Sequence, residues 1–131
     1  MKVSTDPSLL DVARIHRWLS EDAYWALGRT REVVERSIEH SLNFGAYDDS
    51  GAQVGYARVV TDHATFAWLC DVFVSPDRRG DGVGTALLDA VTAHLAGCRL
   101  SRTLLATADA HALYERYGFA PLRHPRRFMA R

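Results

Sequence analysis

Lysine is almost missing: Lys2 is the only one, and arginine supplies the rest of the positive charge. We read this as coding bias rather than as a functional device. An excess of either sign is missing too, because 16 basic residues balance 16 acidic ones and the formal net charge is zero. A nucleic-acid partner would call for a basic excess to meet the phosphates, so that class is not expected. Cysteine is scarce. Cys70 and Cys98 stand in apolar surroundings and form no Cys-x-x-Cys pair, which reads as two buried thiols in a reducing compartment. The six histidines show no metal-ligand spacing, so no metal is expected. No apolar run reaches the roughly 18 residues of a membrane span, and no leader peptide is recognisable. The expectation is a cytoplasmic protein without a nucleic-acid or membrane partner.

What is present describes an ordinary globular domain. The chain has 131 residues, 47% of them hydrophobic and 24% charged. That length fits one domain, residues 1–131, with a core large enough to need neither metal nor disulfide. Asp6-Pro7-Ser8 signals a helix start, and apolar residues recur at helical spacing from Leu9 to Leu19. That helix is expected to end near Ser20, with a loop from Glu21 to Arg29. Thr30 is expected to cap a second helix with the stripe Val33, Val34, Ile38 and Leu42. Strands follow over Asn43 to Tyr47, Gln53 to Thr61 and Thr65 to Val74, joined by turns at Asp48–Gly51 and Asp62-His63. The last of them is apolar at nearly every position, which predicts a central strand covered on both faces. A helix from Val83 to Leu95, a short strand from Thr103 to Thr107, a short helix from Ala108 to Tyr117 and a closing hairpin complete the chain. The alternation implies one α/β or α+β domain around a mixed sheet.

The stretch from Leu69 to Leu95 is the most informative. Gly80, Gly82 and Gly84 let the backbone turn sharply and approach a ligand. The loop feeds directly into a helix whose first N–H groups lack partners and carry partial positive charge. An anion such as a pyrophosphate fits there, with Arg79 adding charge and Thr85 a hydroxyl. A Walker loop is excluded, because Gly84 is followed by Thr85 with no lysine nearby. The dinucleotide fingerprint is excluded as well, because the third glycine comes one residue early. A flexible turn remains the alternative.

Val72-Phe73-Val74-Ser75-Pro76, then Arg78-Arg79-Gly80-Asp81-Gly82-Val83-Gly84, then Leu87-Leu88 resemble the central motif of the GNAT superfamily of N-acetyltransferases. Arg79, Gly82 and Gly84 match its Arg/Gln-x-x-Gly-x-Gly/Ala pattern. Leu113-Tyr114-Glu115-Arg116-Tyr117-Gly118-Phe119 resembles the family's Tyr-x-x-x-Gly-Phe segment. The two motifs come in the right order, and the resemblance spans nearly the whole chain.

The resemblance implies a mostly antiparallel mixed sheet with one splayed parallel pair, flanked by about four helices. It implies acetyl-CoA as cosubstrate and transfer of the acyl group to a primary amine on a small molecule or peptide. The diphosphate would lie on Arg79, Gly80, Gly82, Val83, Gly84 and Thr85. The pantetheine arm would pair with main-chain groups of Val72, Phe73 and Val74. Tyr114 would protonate the departing thiolate. Asp109 stands near where the family often has a cofactor-contacting asparagine, although as an N-cap it would have a structural role. Asp71 is the candidate base, with Asp62, His63 and Glu21 as substitutes; a hydrogen-bonded structural aspartate is the competing reading. Tyr24 and Trp25 would wall the acceptor pocket or else cover the core. A non-catalytic acyl-CoA binding or sensing module remains the alternative function, and a homodimer is compatible with the family.

Overall fold

Asp48 organises the first hairpin. Its Oδ1 accepts the N–H groups of Ser50 at 2.9 Å and Ala52 at 3.1 Å, and Gly51 takes the left-handed φ of 88° that the turn requires. The computed structural model describes residues 1–131. Its strands are β1 (Lys2–Ser4), β2 (Leu42–Tyr47), β3 (Gln53–Thr61), β4 (Phe66–Val74) and β5 (Arg102–Leu104). Its helices are α1 (Val12–Arg17), α2 (Arg31–Glu39), α3 (Val83–Ala96) and α4 (His111–Glu115). The strands form one sheet in the order β1-β2-β3-β4-β5, antiparallel throughout except for the parallel pair β4–β5. This is the expected mixed sheet with four helices.

One core lies between the sheet and α3, where Val83, Leu87, Leu88, Val91 and Leu95 meet Phe44, Ala57, Val59, Ala67 and Leu69. A second lies on the opposite face, where α1, α2 and the segment between them bring Ile15, Trp18, Leu19 and Val34 against Tyr56 and Phe73. Gly55 governs how closely α3 approaches the sheet. A Cβ at this position would come within 2.8 Å of Val83 Cγ1 and 2.9 Å of Leu87 Cδ1.

Several expectations need correction. The Asp6-Pro7-Ser8 signal starts only a 3-10 turn, Pro7–Leu9, and the helix begins later, where Asp11 Oδ1 accepts the Arg14 N–H at 3.0 Å. It then widens into a π turn, Trp18–Asp22, closed by the Ala23 N–H on the Trp18 carbonyl at 3.1 Å. The wider turn keeps Trp18, Leu19 and Ala23 all buried. Thr30 does cap α2, accepting the Val33 N–H at 3.3 Å. The closing hairpin is absent. Pro121 and Pro125 cannot donate to a ladder, and Pro125–Arg127 forms a 3-10 turn instead. The helix near the C-terminus starts at His111, and Thr107 Oγ1, rather than Asp109, accepts the N–H groups that precede it.

The continuous apolar run of β4 has a different origin from burial on both faces, since Phe66 and Trp68 are exposed. Tyr56 pairs with Phe73 but Arg58 pairs with Cys70, so β4 carries one extra residue between these points. The bulge centres on Asp71, which adopts a left-handed φ of 51°. It reverses the alternation of side chains: Ala67 and Leu69 belong to the α3 core, whereas Phe73 belongs to the opposite one.

The Asp71 side chain is almost fully buried and completely engaged. Its Oδ2 accepts from Arg29 and from Arg58 Nε, both at 2.8 Å, and its Oδ1 accepts from Trp25 Nε1 at 2.9 Å. Burial alone would raise its pKa. The Arg58 contact, the Trp25 hydrogen bond and the Arg29 charge outweigh burial and hold the carboxyl below its ordinary value.

Two outcomes are expected. Gly55→Ala forces α3 away from the sheet and costs about 1–3 kcal/mol, read as a lower urea midpoint with an unchanged slope. Asp71→Asn leaves two half-buried guanidinium groups without a counter-charge and costs about 3–5 kcal/mol in the same measurement. The Asp71 contribution is complete above the unfolded carboxyl value of about 3.9 and is lost as pH falls through the lower folded value. Urea midpoints measured below about pH 4 should therefore fall more steeply for the wild type than for Asp71→Asn.

Candidate active site

β4 and β5 run in register only from Phe66 with Arg102 to Trp68 with Leu104. Beyond that point the two strands part, and β5 ends at Leu104, shorter than expected. The C-terminal half of β4 thus has a partner on the β3 side only. Ser75 donates its N–H to the Val54 carbonyl at 2.9 Å. Alternation along an antiparallel ladder then turns the main-chain groups of Phe73 towards β3 and those of Val74 towards the gap. Phe73 is therefore corrected as a main-chain ligand candidate: its side chain packs on Trp18, with ring centroids 5.5 Å apart. Val74 is on the open side, and Val72, just after the bulge, lines the cleft between the strands.

The glycine loop lies at the end of this gap. Gly80 and Gly82 have φ values of 91° and 83°, and a Cβ at either would meet nothing within 4 Å. Glycine is required there by backbone conformation, with open space beside it. The first bond of α3 runs from the Ala86 N–H to the Gly82 carbonyl at 3.0 Å. The N–H groups of Gly80, Gly82, Val83, Gly84 and Thr85 have no partner in the chain, and no side chain caps the helix. Arg78 is committed elsewhere. It donates to Asp48 Oδ2 at 2.7 Å and ties the approach to the loop onto the first hairpin. Arg79 is turned back along β4, with Nε 3.3 Å from the Val74 carbonyl and its guanidinium 5.3 Å from the Phe73 ring centre. It is exposed, so rotation about its own side chain brings it to the loop.

A cleft of about 290 Å³ opens where the strands part, lined by Tyr24, Trp25, Arg29, Arg58, Trp68, Cys70, Asp71, Val72, Thr107, Asp109 and Tyr114 among others. Tyr24 and Trp25 meet edge to face at 4.9 Å, and Tyr24 Oη accepts the Ala108 N–H at 2.8 Å. The segment between α1 and α2 is thereby clasped to the chain after β5. Asp71 forms part of the cleft floor, but the expectation that it serves as a free base is corrected by its surroundings. Three donors already occupy its oxygens, and its depressed pKa leaves little affinity for a proton near neutrality. It is a positioning residue for Trp25 and Arg29. Asp62 and His63, the substitutes, sit in the turn at the other end of β4. Burial pushes the Cys70 thiol up to about 11 despite Arg58 nearby, so it stays protonated and a poor nucleophile.

Tyr114 is half-buried on α4 and lines both this cleft and a second groove along β5. Burial raises its pKa, and the neighbouring Tyr24 and Asp109 add to the shift. It therefore holds its proton through neutral pH. Asp109 is exposed at the cleft wall, and no donor in the chain reaches its carboxylate. Tyr117 does not face the cleft; its hydroxyl lies 2.8 Å from Asp89 and 3.2 Å from the Thr85 carbonyl, which joins α4 to α3. Arg29, Arg58 and Thr107 were not anticipated. Arg58 had a signal, a charge inside the apolar run of β3, and with Asp71 inside the apolar run of the next strand it pointed to a buried ion pair. Arg29 lies in a loop and had none.

Residues 39–121 match the family described as acetyltransferase (GNAT) domain. A Gibberella zeae protein named as an acetyltransferase is 32% identical over 131 residues, covering 86% of this chain and 74% of that one. Serotonin N-acetyltransferase 2, chloroplastic, of Oryza sativa subsp. japonica is 33% identical over 97 residues, covering 70% of this chain and 48% of the rice enzyme. A crystal structure of a GNAT-family acetyltransferase from Xanthomonas campestris pv. campestris superposes with a TM-score of 0.95 at 54% identity, covering 99% and 91% of the two chains. A Mycobacterium tuberculosis protein solved with CoA shares the fold, with a TM-score of 0.74 at 20% identity over 94% of this chain and 74% of that one. The domain match takes in both the glycine loop and Tyr114, and on it the chain belongs to the GNAT acetyltransferase family.

Proposed function

We propose that the protein is an acyl-CoA-dependent N-acyltransferase that moves an acetyl group from acetyl-CoA to a primary amine. The observation that carries this reading is the parting of β4 and β5, with the unpartnered amides of Gly80, Gly82, Val83, Gly84 and Thr85 at one end and Tyr114 beside the cleft. An extended ligand with amide bonds satisfies the open edge of β4 as a strand would. A diphosphate suits the amino end of α3, where N–H groups and the helix dipole both favour negative charge. Arg79, once swung from β4, adds a charge-assisted contact. The Mycobacterium tuberculosis relative bound to CoA supports the same ligand.

The cosubstrate supplies a thioester. The neutral amine, held between Tyr24, Trp25 and Trp68, attacks the thioester carbon as the C–N bond forms. A β4 main-chain N–H beside the gap, that of Val72 or Val74, steadies the charge that develops on the carbonyl oxygen. The C–S bond then breaks and Tyr114 gives its proton to the sulfur. A free tyrosine at about 10 and a thiol at about 8.5 are close enough for that transfer, and burial, which raises Tyr114, keeps its proton in place until the thiolate forms. The ammonium loses one proton to water before attack, and the second nitrogen proton, freed as the amide forms, returns through water to Tyr114. Asp109, the cleft carboxylate without an arginine partner, draws the ammonium in. The high Cys70 pKa argues for direct transfer in a ternary complex rather than through an acyl-enzyme. Much of the acceleration comes from holding the two substrates side by side.

Turnover of acetyl-CoA, read as free thiol across a panel of primary amines, tests the reading; no thiol release with any amine would leave a binding module. Tyr114→Phe should lower kcat about 10²–10⁴-fold while the Kd for CoA, by calorimetry, stays within about threefold. Gly82→Ala imposes a Cβ on a left-handed backbone, which costs roughly 1–2 kcal/mol. It should weaken CoA binding by about tenfold or more and leave binding of pantetheine alone unchanged.

A further inference from the structure

The far end of the sheet carries a cluster that acyl transfer does not use. The turn between β3 and β4 and the end of α3 bring His63, His94 and Cys98 together, with one ligand atom from each within 4.8 Å of the others. The elements that carry them are well anchored. Asp62 accepts the N–H groups of Ala64, Thr65 and Phe66 at 2.9, 2.8 and 3.2 Å, which fixes the turn. His63 stands in it with a left-handed φ of 61°, its N–H 3.0 Å from Thr61 Oγ1. His94 lies in the last turn of α3 with its ring edge-on to Phe44, 5.8 Å between centres. Cys98 follows four residues later on the same side, its Sγ 3.8 Å from the His94 carbonyl. The Ser101 N–H donates to the Thr65 carbonyl at 3.0 Å and holds the two segments side by side.

We propose that His63, His94 and Cys98 bind a borderline transition-metal cation of the Zn²⁺ class, at a site separate from the acyl-transfer cleft. Two imidazoles and one thiolate suit such an ion and do not suit Mg²⁺ or Ca²⁺, which take oxygen ligands. Metal–nitrogen bonds of about 2.0–2.1 Å and a metal–sulfur bond of about 2.3 Å put tetrahedral ligand atoms about 3.3–3.6 Å apart. The side chains must close by roughly 1.2–1.5 Å from the 4.8 Å limit, within reach of χ rotations of the two exposed histidines. Asp62 does not supply the fourth ligand, because Thr65 and three backbone N–H groups already hold its oxygens. Water takes that position. Binding releases the thiol proton to solvent as the metal–sulfur bond forms. The sequence hides the site because His63 is 31 residues from His94, and only the return of α3 along β4 brings them together. The bound ion would lock the β3–β4 turn to the end of α3.

The test uses the untagged full chain, stripped of metal with a chelator and kept reduced. Calorimetric titration with ZnCl₂ should give one equivalent with Kd below about 10 µM. Co²⁺ in its place should give a thiolate-to-metal absorption in the near ultraviolet. His63→Asn, which tolerates the left-handed backbone, should weaken Zn²⁺ at least about tenfold. Cys98→Ser should remove the Co²⁺ absorption. Zn²⁺ should raise the melting temperature of the wild type but not of either variant. Circular dichroism of the metal-free variants guards against misfolding, and His94→Gln serves as a further ligand variant. Wild-type binding weaker than about 10 µM, or variants that bind as tightly as the wild type, would overturn the proposal.

Discussion

Asp71 shares one carboxylate among Arg29, Arg58 and Trp25, and the site is arranged around that sharing. The residue occupies the bulge of β4 in a left-handed conformation that is costly for a side chain other than glycine. Three donors make the conformation worth holding. They come from the loop between α1 and α2 and from β3, so one buried group fastens the N-terminal segment to the middle of the sheet. The bulge also reverses which face of β4 each later side chain meets. Phe73 consequently packs under Trp18 while Val74 keeps its main chain towards the gap.

The two ends of the same strand have different surroundings. At its carboxyl end, β4 parts from β5 and runs into a glycine loop whose amides are unsatisfied. An unpaired strand edge and a bare helix terminus are costs in a stable fold, and each is the kind of group that a ligand removes. At its amino end the strand begins in a tight turn anchored by Asp62, beside the end of α3. Helix α3 spans both ends: its start carries the unpartnered amides and its last turn carries His94. Gly55, with no side chain, lets that helix lie close enough to the sheet to do both.

The legible parts of the fold were those set by local chemistry. Thr30 capped α2 as expected, Gly118 ended α4 with a φ of 86°, and β3 kept its bounds. The glycine loop was readable because positive φ values leave a direct mark on residue choice. The first helix was misjudged because Pro7 starts a 3-10 turn as readily as an α-helix, and only burial of Trp18 and Leu19 favours the π turn. The apolar run of β4 was read as a doubly covered strand, whereas Phe66 and Trp68 are exposed and a bulge at Asp71 turns Phe73 to the other core. Nothing in a local window distinguishes the two. The closing hairpin, expected over Phe119 to Leu122 and Arg127 to Ala130, failed because Pro121 interrupts the first strand and Pro125 starts a 3-10 turn between the two.

The sequence alone determined the class of the site: a strand, a glycine loop and a helix in succession, followed by a tyrosine before Gly118. Each of those features is fixed within a few residues by backbone dihedrals and helix termini. Tertiary structure alone decided the state of the groups within it. Whether Asp71 is a base or a spent carboxylate depends on Arg29, 42 residues away, and Arg58, 13 residues away. The meeting of His63 with His94 and Cys98 depends on helix packing in the same way. Protonation and coordination follow from the charges and donors within a few ångströms, and chain separation carries no record of that distance.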